Sequence, residues 1–157
     1  MKANADAPMP RDRGPCAEPE ALEVIAELLR AGHSASFTAQ GSSMYPALFT
    51  GDRVVIEPHP WRQAGGGAGP ALRAGCDIIL AKTGDGRTLL HRLVGERDGC
   101  LMMRGDNAPG TGEAITEVLG RLRGVRYTPA SLARRARYAL RRWARSRAPN
   151  LLKGWEM

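Results

Sequence analysis

The sequence predicts a mainly β domain (class α+β) with one helix at each end. Three observations carry this. Short β-prone runs recur through 34–127, separated by Gly, Pro, Asn and Asp. Residues 18–31 and 129–147 repeat their apolar side chains at three- and four-residue steps instead. Apolar residues make up 43% of the 157 and charged ones 25%, enough to build a core.

Residues 1–17, rich in Pro, Ala and charge, are expected to be a mobile arm ahead of a compact domain over 18–128. Glu18 to Ala31 reads as a helix. Pro19 suits its first turn, and Glu18, Glu20 and Glu23 favour the positive end of its dipole. Leu22, Ile25, Ala26 and Leu29 form its apolar face, and Gly32 is placed to end it. Ser34 to Gln40 alternates as a half-buried strand. It leads into a bend, Gly41-Ser42-Ser43-Met44-Tyr45-Pro46, and then into strand Arg53–Glu57, expected to stop at Pro58-His59-Pro60.

The Gly-rich stretch 62–75 lacks a Gly-Lys-Ser/Thr ending and reads as a flexible loop rather than a phosphate cradle. Asp77–Lys82 and Thr88–Val94 read as a hairpin about the turn 83–87. On the return strand Leu89, His91 and Leu93 share one face. Cys100–Arg104 is a further strand, 105–110 a loop, and Glu117–Tyr127 a strand pair or one bent strand. Pro129–Arg147 is a basic amphipathic helix, with Leu132, Ala136, Ala139, Leu140 and Trp143 on one side and seven arginines on the rest. Residues 148–157 are a tail.

The net charge of +7 points to an anionic partner. Aromatics are only 5% and no base-reading motif is present, which argues against nucleic acid. Cys16, Cys76 and Cys100 are odd in number and far apart, so neither a disulfide framework nor a zinc site is expected. The first residues lack the apolar core of a secretory signal, and no run is long and apolar enough to span a bilayer. The expected location is the cytoplasm or the membrane surface. Residues 131–147 either lie on an anionic membrane, arginines on headgroups and Leu132, Leu140 and Trp143 below them, or pack their apolar stripe on the β domain.

A serine hydroxyl becomes a nucleophile when a base stands within hydrogen-bond reach, and a histidine base is commonly oriented by a carboxylate. The chain supplies Ser43 in the bend, His91 on a strand and Asp106 at a loop entrance, in that order. Their surroundings are more specific. Ser43-Met44-Tyr45-Pro46-Ala47-Leu48 with Gly51-Asp52-Arg53-Val54-Val55 resembles the nucleophile segment of the signal peptidase I family and its LexA-type relatives. Gly75-Cys76-Asp77-Ile78-Ile79-Leu80 resembles that family's next strand entry, His91-Arg92-Leu93-Val94-Gly95 its base segment and Arg104-Gly105-Asp106-Asn107 its last motif. The resemblance covers roughly 37–127.

It implies a compact β domain and a serine endopeptidase that cuts an exported or leader peptide bound extended beside a strand, with no metal or cofactor. Carried over, Ser43 is the nucleophile, His91 the general base and Asp106 its acidic partner. Histidine in the base position is the pattern of the endoplasmic-reticulum and archaeal-type enzymes. Gly41, Ser42 and Met44 fall where the family holds the oxyanion and substrate, and Gly41 replaces a frequent serine. Lys82 is the other candidate base. The resemblance leaves open a self-cleaving LexA-like regulator, with Ala64-Gly65, Ala68-Gly69 and Ala74-Gly75 as bonds to cut, and an inactive peptide binder.

Overall fold

The computed structural model describes residues 19–62 and 71–147. The expected arm, most of the Gly-rich loop and the tail lie outside them, as do Ala64-Gly65 and Ala68-Gly69. The fold is mainly β, with a helix before and after it: α1 Pro19–Arg30, β1 Ala35–Thr38, β2 Arg53–Arg62, β3 Ile78–Thr83, β4 Thr88–Arg97, β5 Cys100–Arg104, β6 Glu113–Arg126 and α2 Pro129–Arg147. Neighbouring strands run antiparallel in the order β1-β2-β6-β3-β4-β5, and β5 pairs back onto β6. That pairing closes β6, β3, β4 and β5 into a barrel, leaving β1 and β2 as a flap beside it.

One strand makes this closure possible. β6 pairs with β5 through Ala114 and Glu113, with β3 over Ile115–Arg121 and with β2 over Glu117–Arg126. Of the two expected forms, a strand pair or one bent strand, the single strand is found, and it begins earlier, at Glu113. β2 likewise runs past its expected stop, through Pro58 and Pro60 to Arg62. β1 covers β2 only as far as Ile56, and the β2–β6 register shifts between Pro58 and Trp61. A proline needs no ladder partner at an edge or an irregularity, so the strand continues where sequence alone suggests a break.

Two apolar clusters hold the layers together. Ile79, Ala81, Leu89, Leu93, Met103, Ile115 and Val118 fill the barrel. Leu22, Ile25, Ala26 and Leu29 of α1 cover the other cluster, which includes Phe37, Val54, Ile56, Leu80 and Leu90. Met44 and Leu48 of the bend belong to that second core, so the bend is anchored from beneath.

α2 begins on a cap. Thr128 Oγ1 accepts from Ser131 N–H at 3.1 Å, with Pro129 at the first helical position. Its docking departs from the packed-stripe alternative. Ser131 is buried, and Arg135 and Tyr138 are half-buried against the body, whereas Leu132, Leu140 and Trp143 are 50%, 64% and 57% exposed. No described helix is long and apolar enough to cross a membrane.

Candidate active site

β4 presents residues alternately to its two sides, and His91 falls on the side of Leu89 and Leu93. The imidazole is 6% exposed. The bend 41–50 lies across this position, and Ser43 Oγ stands 3.1 Å from His91 Nε2, although the two are 48 residues apart in sequence. The Nδ1-protonated tautomer would leave the Nε2 lone pair for the serine hydroxyl. His91 Nδ1 is buried with no hydrogen-bond partner among the described residues.

The loop after β5 braces Ser43 from the other side. Asn107 N–H donates to Ser43 O at 2.8 Å, and Asn107 Nδ2 lies 3.4 Å from Ser42 O. Gly105 makes this approach possible: a Cβ there would meet Ser43 O at 2.6 Å and Ser43 Cβ at 3.1 Å. In the sequence Gly105 and Asn107 belong to a motif but carry no evident task of their own. The one signal is a glycine at a loop entrance, which marks close backbone contact as readily as a turn.

Asp106 enters the site differently from its expected role. Its two carboxylate oxygens accept from Arg92 Nε and a terminal Arg92 nitrogen, each at 2.7 Å, and no hydrogen bond joins it to His91. Arg92 neighbours His91 on β4 and points to the opposite face. Arg92 also donates to Cys76 O at 2.9 Å, tying the start of β3 to the Asp106 loop. Asp106 acts on the imidazole through space. Burial lowers the His91 pKa from 6.5 to about 4; Arg87 adds to the fall and Asp106 opposes it. At neutral pH His91 is therefore uncharged and able to accept a proton.

The positions carried over for oxyanion and substrate binding separate into three. Met44 is fully buried in the core, backbone included, and anchors the bend rather than meeting a substrate. The Ser43 N–H makes no hydrogen bond within the described residues, on a residue that is half-buried rather than sealed in the core. Ser42 is exposed beside Ser43. Gly41 has φ +83°, and its carbonyl accepts from Thr50 Oγ1 at 2.8 Å. A serine there would be strained, so this bend is built for glycine and not a serine bend with one hydroxyl deleted. Lys82 is directed elsewhere: its ammonium pairs with Glu23 of α1 at 3.0 Å.

Two residues outside the expected set fix the bend. Asp52 is fully buried and accepts from Phe49 N–H at 3.0 Å and from Arg135 at 2.7 Å. Burial alone would raise its pKa, but the Ser131, Phe49 and Arg135 contacts outweigh it and hold the carboxyl below 3.8. Arg135 also donates to Ala47 O at 2.8 Å and lies over the rings of Phe49 and Tyr127. In the sequence Arg135 is one arginine among seven.

No family model, curated protein or solved structure matches this chain.

Proposed function

We propose that the chain is a serine endopeptidase of signal-peptidase-like type that cuts an exported or leader peptide by acyl transfer. The observation carrying this reading is the 3.1 Å contact between Ser43 Oγ, on a braced bend, and the buried, neutral His91. His91 Nε2 takes the hydroxyl proton as Ser43 Oγ attacks the scissile carbonyl carbon. The oxyanion that forms is met by the Ser43 amide. His91 returns the proton to the departing amine, leaving an ester on Ser43. Water, deprotonated by the same histidine, releases the acid. Asp106 offsets the transient imidazolium charge through space while Arg92 holds it in place.

The test is labelling with a fluorophosphonate probe alongside cleavage of a library of extended peptides. Wild type is expected to label on Ser43 and to cut peptides; Ser43→Ala does neither, and His91→Gln labels at least about a hundredfold more slowly. Full cleavage by Ser43→Ala sinks the reading. Intact mass measured over the same incubation separates cleavage of added peptides from self-processing. In the described part of the candidate region, Gly75 N–H is tied to Leu93 O at 2.7 Å, which holds Ala74-Gly75 in a turn and not as an extended substrate.

The exposed stripe Leu132, Leu140 and Trp143, on a helix without a single acidic residue, favours an anionic membrane surface as the place of action.

A further inference from the structure

We propose that the cleft between the nucleophile bend and α2 binds acidic side chains of the peptide substrate close to the bond being cut. The proposal rests on the serine-peptidase reading of Ser43 and His91. The cleft encloses about 360 Å³ and is lined on the bend side by Gly41, Ser42 and Thr50, and on the helix side by Arg134, Arg137 and Arg141. Ser42 precedes the nucleophile in the chain. A peptide whose carbonyl reaches Ser43 therefore lays neighbouring residues at the cleft mouth, since an extended strand advances only about 3.3 Å per residue.

The charges in the cleft are unbalanced. Arg30, Arg87, Arg92, Arg121 and Arg135 each pair with a carboxylate. Arg137 and Arg141 pair with none among the described residues, and the described helix has no acidic residue to supply one. They stand four apart, on one face of α2, where like charges repel. Arg134, on the same side, is already committed to Thr50 O at 2.8 Å and locks the helix to the bend. The walls are firm: Tyr45 packs edge-on against both Phe49 and Tyr138, with ring centroids 4.9 and 5.1 Å apart. A pair of unmatched guanidiniums on a fixed wall suits a carboxylate, which each can grip through two N–H groups.

The apolar stripe of α2 lies on another side of the helix from this cleft. A membrane surface and an acidic peptide are therefore separable by substitution. The experiment uses the full chain carrying Ser43→Ala, so that binding is read without cleavage. The probes are fluorescein-labelled decapeptides of alternating Glu and Ala, or Gln and Ala, followed by anisotropy.

The Glu peptide is expected to bind at least about tenfold more tightly than the Gln peptide, and Arg137→Gln with Arg141→Gln to remove that advantage. Arg142→Gln with Arg145→Gln, on the same helix but outside the cleft lining, is expected to leave it within about twofold. Equal binding of the two peptides overturns the proposal. So does an equal loss from both double variants, which would mean diffuse attraction to a basic helix. Binding to phosphatidylglycerol vesicles with no affinity for the Glu peptide overturns it too.

Fluorophosphonate labelling of the unsubstituted chain keeps the two readings apart. Labelling at Ser43 without Glu-peptide binding removes the cleft and spares the peptidase. Cleft-dependent Glu-peptide binding without labelling supports the cleft and removes the peptidase.

Discussion

His91 carries a physical tension. Packing between Leu89 and Leu93 makes it neutral and ready to accept a proton, but the same burial disfavours the charged form it must pass through. This has a pH consequence with a definite sign. The unfolded chain takes up a proton near 6.5 and the folded chain only near 4, so between those values the unfolded state binds more protons. The His91 contribution to stability is complete above about pH 6.5 and is lost as pH falls towards about 4, by roughly 3 kcal/mol in all. Chemical denaturation at pH 7, 5.5 and 4.5 is expected to show wild type losing this increment relative to His91→Gln, which lacks the titration. Equal slopes for the two proteins would mean the imidazole is more solvated than its burial implies. For the same reason the acid limb of the cleavage rate is expected to fall below the ordinary histidine range.

Among the elements, α2 is tied to the Ser43 bend by a residue that resembles its neighbours in sequence. Arg135 reaches into the body to Asp52 and Ala47 O, and the buried Asp52 in turn holds the Phe49 amide. Removing the guanidinium leaves a buried carboxylate without its counter-charge, a kind of loss worth about 3 kcal/mol. Arg135→Ala is therefore expected to lower the melting temperature markedly, whereas Arg142→Ala, at an exposed position on the same helix, moves it little. Thermal unfolding of the two variants side by side decides this. A matching loss of Ser43 labelling in Arg135→Ala at temperatures where the fold persists would show that α2 sets the shape of the bend.

For the whole molecule, the arrangement of charge and apolar surface matters more than the net charge of +7. One face of α2 is docked, one lines the cleft with Arg137 and Arg141, and a third exposes Leu132, Leu140 and Trp143. An amphipathic helix of this kind gains from apolar burial below the headgroups and from attraction to anionic lipid. Flotation with phosphatidylglycerol–phosphatidylcholine vesicles is expected to carry the protein upward, and vesicles of phosphatidylcholine alone to leave it behind. Leu140→Ser with Trp143→Ser should abolish flotation while leaving Glu-peptide binding intact. Flotation unchanged by that pair would remove the membrane reading.

By itself the sequence determined the mainly β class, the two terminal helices, the buried face of α1 and the placement of His91 between two leucines. Each is a local pattern: alternation along a strand, or recurrence at helical steps, records which side of an element leaves water. Tertiary structure alone decided the rest. The prolines of β2 signal a stop, but a one-sided edge lets the strand run on to Arg62. Asp106 follows His91 in the expected order, yet its carboxylate goes to Arg92, because strand β4 turns consecutive side chains to opposite faces. The apolar residues of α2 predict a stripe but not what covers it, and the helix docks instead through Ser131, Arg135 and Tyr138. Ser43 and His91 could be named as partners from order and neighbours. Their 3.1 Å separation depends on the barrel closure, on Asn107 holding the Ser43 carbonyl and on the bare Cα of Gly105. Contacts of that kind join distant segments, and no local periodicity encodes them.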